Sequence, residues 1–508
     1  MTALDPITLQ VLSGALRAAC DEMGAVLIRS AHSANIKERH DCSTAIFDRT
    51  GQLVMQAEHI PVHLGAMPAA IQAILEFEQQ PGRSWILNDP FAGGTHLPDI
   101  TVITPAFAGA ALIGFAASRA HHADVGSATP GSMPADSRTL ADEGVVIPPS
   151  VLDEVLLERL VAQMRQPSQR RADLRAQVAA NQTGVRRLSE IAARHGEAGL
   201  SVALNAVLDY AERRTRACLD ALPDGVFERR DVLEAVDRDL ELRLKATLRG
   251  DTLTLDFGGS APEHEGNLNC PLAVTTSACL FALRVLTDAD IPPNAGATRP
   301  LQIIVPDGTL LNARFPAAVA AGNVETSSRV ADLVLGAFGH ALGQGTMNNL
   351  TIGNDHFTYY ETLGGGQGAS AHAAGPSGVH VAMSNTLNTP IEALETEFPV
   401  LVTEYALRSG SGGAGRQPGG AGVVREIEAR EPVTFSLISE RRRHQPPGAA
   451  GGRPGAAGRN LLNGAEIPGK LVGRLEPGDR LRIETPGGGG FGRPEPGTES
   501  SSPQRSAC

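Results

Sequence analysis

Aromatic residues and cysteines are scarce in this sequence. Phenylalanine, tryptophan and tyrosine together make up 4% of the 508 residues, so a core must rest mainly on leucine, valine, isoleucine and alanine. The six cysteines are scattered and form no CxxC pair, which excludes a disulfide framework and a zinc-finger spacing. Reduced thiols of this kind are typical of a cytoplasmic protein.

Long apolar runs and an excess of basic residues are also missing. No window approaches the roughly 18 consecutive apolar residues of a membrane span, and no basic stretch followed by an apolar block indicates a signal peptide. The 44 basic and 56 acidic residues give a net charge of −12, and an acidic surface repels phosphate backbones. We therefore expect a cytoplasmic protein that binds neither membranes nor nucleic acids.

The residue composition and the pattern of apolar residues change along the chain, which predicts a mixed α+β, multi-domain protein. We expect residues 1–150 to hold one N-terminal helix followed by short strands and loops, and residues 151–225 to form a helical segment. Residues 226–492 are expected to form a glycine-rich mixed α/β region. Residues 493–508 are rich in serine, proline and glutamate, which predicts a disordered tail.

Local patterns place several elements within these regions. Asp5 followed by Pro6 is typical of a helix start, and an apolar stripe that begins at Ile7 and Val11 predicts a buried helix face running to about Ala31. Short apolar runs at 44–47, 100–104 and 110–115 predict strands. Strict alternation on both sides of residues 249–251 predicts a β-hairpin.

Glycine is concentrated in the C-terminal half, at 364–366, 410–422, 448–458 and 487–490. Such density indicates a backbone at positive φ or close to another group. Since these loops bury little apolar area, we expect those near Gly364 and at Gly410–Gly422 to be shaped by a second protein at an interface.

Histidines and carboxylates are concentrated in the loops between residues 35 and 149. His96 and Asp99 lie three residues apart, and Pro98 places them on an extended loop rather than a helix. An apolar strand ends in His121 and His122, and residues 37–41 carry further carboxylates. Two histidines with one or two carboxylates suit Mn²⁺, Zn²⁺ or Fe²⁺, although hydrogen-bonded loop histidines are the plainer alternative.

These motifs resemble the hydantoinase B/oxoprolinase family over nearly the whole chain. The matching blocks are NIKERHD at 35–41, HIPVHLGAMP at 59–68, NDPFAGGTHLPDI at 88–100, RAHHADVG at 119–126, GNVET at 322–326, GGGQG at 364–368, TLNTP at 386–390 and TPGGGG at 485–490. The resemblance implies a B subunit that carries a divalent metal (Mn, Zn or Fe), while ATP and Mg²⁺ are held by a separate hydantoinase A-like subunit. It also implies an ATP-dependent hydrolase for cyclic amides such as a hydantoin, 5-oxoproline or another lactam, in an A2B2-type assembly.

The family's motifs carry over to particular residues of this sequence. They imply the metal ligands Glu38, His96, Asp99 and His121, with Asp41 as the alternative first carboxylate. His122 and Asp124 flank His121 and are candidates for orienting it or for proton transfer in catalysis.

Four further polar residues leave two interpretations open. His59 and His63 could line the pocket or fix their loop. Gln177 and Asn181 share a helical face and could reach into the site, although we expect this face to be exposed.

The sequence also bears on the type of reaction. It contains no GxxxxGK[ST] loop, which agrees with ATP binding on a partner, and no GxSxG elbow that would support serine catalysis. Two alternatives stay open: a component of an ATP-dependent ketone carboxylase of the acetone or acetophenone type, and a non-catalytic scaffold that stabilises the A-like partner.

Overall fold

The computed structural model describes residues 5–58 and 60–495, so His59 and most of the expected tail lie outside the described residues. Two short 3₁₀ turns (Pro61–His63 and Pro90–Ala92), a third at Leu140–Glu143 and a π-helical turn at Gly322–Thr326 accompany the α-helices. The described α-helices are α1 (Pro6–Ser30), α2 (Ala34–Lys37), α3 (Ala66–Leu75), α4 (Glu154–Val161), α5 (Pro167–Asp220), α6 (Leu272–Leu286), α7 (Ala295–Thr298), α8 (Ser327–Ala337) and α9 (Ile391–Glu397).

The strands of the described residues form four sheets. In chain order they are β1 (Cys42–Asp48), β2 (Leu53–Glu58), β3 (Ser84–Leu87), β4 (Asp99–Ala108), β5 (Ala111–His121), β6 (Ser150–Leu152), β7 (Gly225–Glu234), β8 (Asp239–Arg249), β9 (Thr252–Asp256), β10 (Leu301–Ile304), β11 (Asn349–Gly353), β12 (Thr358–Glu361), β13 (Val400–Arg408), β14 (Gly422–Ala429), β15 (Val433–Ile438), β16 (Arg459–Leu462), β17 (Ala465–Ile467), β18 (Lys470–Leu475) and β19 (Arg480–Glu484). The protein is a mixed α+β fold, as the sequence predicted.

The first sheet is antiparallel, has the order β2-β1-β5-β4-β3-β6 and carries a helix layer on each face. Because successive strand residues point to opposite faces, even and odd positions of β5 have different surroundings. Ala116 and Ala120 share a core with α1 and α5, whereas Phe115 and Ala117 share a core with α3. Strand β5 therefore contributes side chains to two separate cores, one on each face of the sheet.

Helix α1 has the predicted bounds but not the predicted buried face. The carboxylate of Asp5 accepts hydrogen bonds from the backbone N–H groups of Ile7 and Thr8, which caps the helix. Ile7 and Val11 are 77% and 68% exposed, so the prediction that the stripe is buried from its first residue was wrong. Leu12 is the first fully buried residue of the helix, and the partly buried Leu9 also packs against this core.

Helix α5 crosses the first sheet and bends at Gly196, where φ is 70°. Gln177 and Asn181 lie on its sheet-facing side and are buried, so the expectation that they form an exposed face was wrong. Their amides donate to the backbone carbonyls of Ile100 and Val102 in β4. Buried amides of this kind satisfy backbone groups that the strand pairing leaves open.

The second sheet has the order β10-β9-β8-β7 and packs on α6 and α8. The predicted hairpin is confirmed as β8 and β9, with Gly250 at φ 54° in the turn. The third sheet (β12-β11-β15-β18) and the fourth (β13-β14-β19-β16-β17) share one apolar core. No helix among the described residues is long and apolar enough to cross a membrane.

The glycine-rich segments pack against one another as extended backbones. The N–H of Gly488 donates to the carbonyl of Gly420, and the N–H of Gly420 donates to that of Gln367. A Cβ on Gly488 would lie 2.0 Å from the Gln367 carbonyl oxygen, and one on Gly366 would lie 2.0 Å from the Gly420 oxygen. We call segments 364–368, 411–422, 447–456 and 486–491 the glycine layer.

The glycine layer shows that the high glycine density has a different cause from the one that the sequence suggested. The segments near Gly364 and at Gly410–Gly422 were expected to need glycine because a second protein approaches them. The close approaches in the structure are made by other backbone segments of the same chain. Contact with another protein at these segments stays a prediction, and so do the domain boundaries at residues 150, 225 and 492.

Candidate metal centre

The side chains of His96, Asp99 and His121 converge at one end of the first sheet. One donor atom from each lies within 4.8 Å of the others, and the described residues contain no second group of this kind. His96 Nε2 is 3.3 Å from Asp99 Oδ2, and the rings of His96 and His121 are 5.0 Å apart between centroids. All three residues are at most 2% exposed.

The register of β4 and β5 produces this convergence. Asp99, the first residue of β4, pairs directly with His121, the last residue of β5. Directly opposed residues of an antiparallel pair project to the same face, with Cβ atoms about 5 Å apart. The loop before β4 then brings His96 back onto this face, and the hydroxyl of Thr95 donates to Asp99 Oδ2 at 2.5 Å.

His63 supplies a third imidazole. It ends the 3₁₀ turn at Pro61–His63 and is 0% exposed, with Nε2 at 3.4 Å from Asp99 Oδ2. Its other nitrogen, Nδ1, lies 2.9 Å from the hydroxyl of Ser43 in β1. Of the two interpretations of His63, lining the pocket and fixing a loop, the structure therefore supports both.

Burial controls the charge state of the cluster. It lowers the pKa of His63 and holds that of His121 well below its usual value, so both rings are neutral at pH 7 and keep one nitrogen lone pair. Burial would raise the pKa of Asp99, but the adjacent His96 and His63 outweigh it and hold that pKa well below its ordinary value. The centre therefore presents the neutral imidazoles of His63 and His121 beside the carboxylate of Asp99.

The donor atoms of the cluster fit a divalent cation. His63 Nε2, both nitrogens of His96 and His121 Nε2 are buried and have no hydrogen-bond partner. Unpaired buried polar atoms cost free energy, about 1–3 kcal/mol each, and a bound ion would satisfy them. Two ligands with bonds of about 2.1 Å in tetrahedral geometry lie about 3.4 Å apart, close to the observed separation of His96 and Asp99.

The two candidate first carboxylates have different surroundings. Asp41 is 2% exposed, and its backbone carbonyl accepts a hydrogen bond from the N–H of His121 at 3.0 Å. Burial raises the pKa of Asp41 to about 7 against the charge of Arg39, and Asp99 adds to the rise. Glu38 is half-buried at the end of α2, where its charge contributes to the raised pKa of Glu397. Neither carboxylate belongs to the group of three donors, and Asp41 interacts electrostatically with Asp99 and His96.

His122 and Asp124 point away from the cluster. His122 follows His121 directly and therefore points to the opposite face of the sheet, towards α5. There its Nε2 lies 2.9 Å from Gln177 Oε1. Asp124 accepts hydrogen bonds from the N–H groups of Gly126, Gly131 and Arg165 and from the Arg165 guanidinium. These contacts hold the loop after β5 and the helix α5 in place.

Two buried arginines flank the centre. Arg39 lies 4.6 Å from the centroid of the Tyr360 ring and donates to the Tyr360 carbonyl, and Tyr360 itself stacks on His121 at 4.3 Å. Arg119 donates to Thr101 and to the carbonyl of Gly93, whereas its Nη1 has no partner. Sequence reasoning singled out neither these arginines nor Tyr360. Arg39 and Arg119 do fall within the family's sequence blocks, but no local signal marks Tyr360.

Comparison with known proteins finds relatives that match nearly the whole chain. The family described as Hydantoinase B/oxoprolinase matches residues 5–494. 5-Oxoprolinase 1 of Arabidopsis thaliana is 41% identical over 96% of this chain, which spans 42% of that protein. A protein of Pseudomonas sp. (strain NS671), described as the putative B subunit of a D-/L-hydantoinase, is 29% identical over 97% of this chain and 90% of its own.

Solved structures agree with these relatives. An ATP-dependent caprolactamase from Pseudomonas jessenii shares 28% identity and superimposes with a TM-score of 0.91 over 97% of this chain and 93% of that one. Acetone carboxylase has a TM-score of 0.83 at 20% identity, over 96% of this chain and 76% of that one, which shows a shared fold. The chain therefore belongs to the hydantoinase B/oxoprolinase family.

Proposed function

We propose that this chain is the metal-carrying component, the B subunit, of a cytoplasmic, ATP-dependent enzyme that opens a cyclic amide. The observation that carries the proposal is the convergence of His96, Asp99 and His121, in which the buried Nε2 atoms of both histidines have no hydrogen-bond partner. Membership of the family and the caprolactamase and 5-oxoprolinase relatives support a lactam or hydantoin as the substrate class. The carboxylase alternative is supported by a shared fold alone.

ATP can supply the activation that opening a cyclic amide requires. Nitrogen donates electrons into an amide carbonyl, and an unstrained five-membered lactam is reluctant to open. Phosphorylation of the carbonyl oxygen removes both obstacles. Since this sequence has no P-loop motif, we propose that ATP and Mg²⁺ are held by a hydantoinase A-like partner, which assembles with this chain as A2B2.

Within this chain, we propose His96, Asp99 and His121 as metal ligands, with Asp41 in preference to Glu38 as the further carboxylate. A bound Zn²⁺, Mn²⁺ or Fe²⁺ ion would polarise a substrate oxygen and lower the pKa of water from 15.7 towards about 7. The buried surroundings exclude bulk water and strengthen these electrostatic effects. His122 and Asp124 are proposed to orient the end of β5 through Gln177 and Arg165.

The first experiment measures metal content in the isolated chain. We expect about one divalent ion per wild-type chain by elemental analysis. His96→Ala and Asp41→Asn should lower the occupancy, and Glu38→Gln, which changes a carboxylate of the same turn, is the matched control. Full occupancy in His96→Ala would contradict the ligand assignment. A wild-type chain that binds no ion at all would favour the scaffold alternative.

The second part of the test reconstitutes the chain with its A-like partner. ATP hydrolysis should require both proteins and should be triggered by a hydantoin, by 5-oxoproline or by a larger lactam, and His96→Ala should abolish it while keeping its melting temperature in the absence of metal. Turnover triggered by ketone with bicarbonate would instead support the carboxylase alternative. Rapid ATP hydrolysis by the isolated chain would contradict the division of labour.

A further inference from the structure

The side-chain amide of Asn35 lies against His121. Asn35 belongs to α2 and is 2% exposed, and its Nδ2 is 3.1 Å from His121 Nδ1. The second nitrogen of the ring, Nε2, is buried and has no hydrogen-bond partner. Asn35 therefore engages one nitrogen of the ring and leaves the other for the cluster.

The direction of this hydrogen bond decides whether His121 can bind a cation. A neutral imidazole has one N–H group and one lone pair. When Nδ1 accepts from the amide NH₂, the ring proton lies on Nε2 and no lone pair faces the cluster. When Nδ1–H donates to the amide oxygen, Nε2 keeps its lone pair. Rotation of the amide exchanges its two ends without moving the ring, because they have nearly the same size and shape.

We propose that Asn35 is a positioning residue for the metal centre and that its Oδ1 accepts the proton of His121 Nδ1. The inference rests on the metal-binding role proposed above and goes beyond it by assigning the tautomer. Tyr360 stacks on the same ring with an interplanar angle of 15°, so the ring plane is fixed independently of Asn35. What Asn35 adds is the choice of the nitrogen that carries the proton.

The test measures Zn²⁺ affinity of the full chain by competition with a chelator. Asn35→Leu removes the acceptor at similar volume, and Asn35→Asp keeps an acceptor that can take the same proton. Loss of a hydrogen-bond partner of a metal-bound histidine typically costs 10–100-fold in affinity. We expect a loss of about that size in Asn35→Leu and an affinity at or above that of the wild type in Asn35→Asp. Lys37→Ala, an exposed change on the same helix, is the control.

Each outcome separates the inference from the proposed function. Wild-type affinity in Asn35→Leu overturns the inference, as does an equal loss in Asn35→Leu and Asn35→Asp, since that loss would reflect packing alone. If Asn35→Leu does not fold, as judged by its melting curve, Asn35→Ser supplies a polar variant too short to reach the ring and should show the same loss. If the wild type and Lys37→Ala bind no Zn²⁺, the proposed metal centre fails, and the inference fails with it.

Discussion

Glu325 is a buried carboxyl group far from the first sheet, in the π-helical turn at Gly322–Thr326. It is 0% exposed, its Oε1 accepts a hydrogen bond from the N–H of Met347, and its Oε2 has no partner. Burial, with a further contribution from Glu440, raises the pKa of Glu325 from 4.5 to about 8 against the opposing charge of Lys470. The folded protein therefore holds a proton here at pH 7 that the unfolded chain releases.

The sign of the resulting pH dependence follows from this proton. Between pH 4.5 and about 8 the folded state binds more protons than the unfolded state at this position, so its contribution to stability falls as the pH rises. Glu325→Gln removes the proton, and we expect its melting temperature relative to the wild type to increase from pH 5 to pH 8. The exposed change Glu78→Gln should show no such trend. A difference between Glu325→Gln and wild type that is the same at both pH values would contradict this account.

Some residues of the metal centre could be identified from the sequence, and others could be identified only from the structure. His96, Asp99 and His121 were identified because they fall within blocks of local sequence typical of the family. Strand alternation points His121 and His122 to opposite faces, but which of them points towards the cluster depends on how the sheet packs against α5, which no local pattern encodes. Tyr360 stacks on His121 across a separation of 239 positions, and no local pattern encodes such a contact.

At the level of elements, the glycine layer gives a direct test of backbone packing. A Cβ on Gly488 would lie 2.0 Å from the carbonyl oxygen of Gln367, and neither backbone can shift without breaking neighbouring hydrogen bonds. We expect Gly488→Ala to lower the unfolding free energy by about 3 kcal/mol or more, or to prevent folding, because overpacking typically costs about 1–3 kcal/mol and costs more where rigid backbone must move. The measurement is chemical denaturation of the purified chain.

Gly14→Ala is the matched control for that change. Gly14 is exposed in α1, and a Cβ there meets no atom within 4 Å. Alanine is the better helix former by roughly 0.5–1 kcal/mol, so this variant should be slightly more stable than the wild type. Destabilisation of both variants to the same degree would contradict this account, because a Cβ at Gly14 meets no neighbouring atom.

The secondary-structure elements that the sequence predicted best are those encoded by short, contiguous patterns of apolar and polar residues. The hairpin of β8 and β9 and the bounds of α1 follow from alternation and capping. The buried positions of Gln177 and Asn181 do not, because a polar helical face is ordinarily solvated and only the position of α5 on β4 makes these amides useful. The density of glycine correctly predicted that backbone segments lie close to another group. Which group approaches them depends on the tertiary fold and could not be predicted.

On the scale of the whole molecule, the metal centre joins sequence regions that lie far apart. Arg39 donates to the Tyr360 carbonyl and to the hydroxyls of Thr362 and Thr386, and the N–H of Leu387 donates to the Arg39 carbonyl. An ion bound beside Arg39 should therefore stabilise the whole chain. At a free concentration 100 times its dissociation constant it contributes about 2.7 kcal/mol, or a rise of roughly 2–3 °C in melting temperature if the whole chain unfolds as one unit.

Calorimetry of the isolated chain with and without added metal tests this coupling. We expect the main transition to move upward as a whole, and His96→Ala to show no metal-dependent change. If two transitions appear and metal moves only one, the region that holds the centre unfolds on its own and the contacts of Arg39 do not couple it to the rest.

The glycine layer also sets the order of events during protein synthesis. Residues 486–490 lie between segments 366–369, 411–420 and 447–456, to which they are joined by backbone hydrogen bonds. Before residue 490 leaves the ribosome, the N–H and C=O groups of those segments that bond to residues 486–490 have no partner in the chain. The last part of the layer to be translated is thus the part that closes it. The earlier segments of the layer must wait, with those backbone groups unpaired and open to other molecules, until residues 486–490 have been translated.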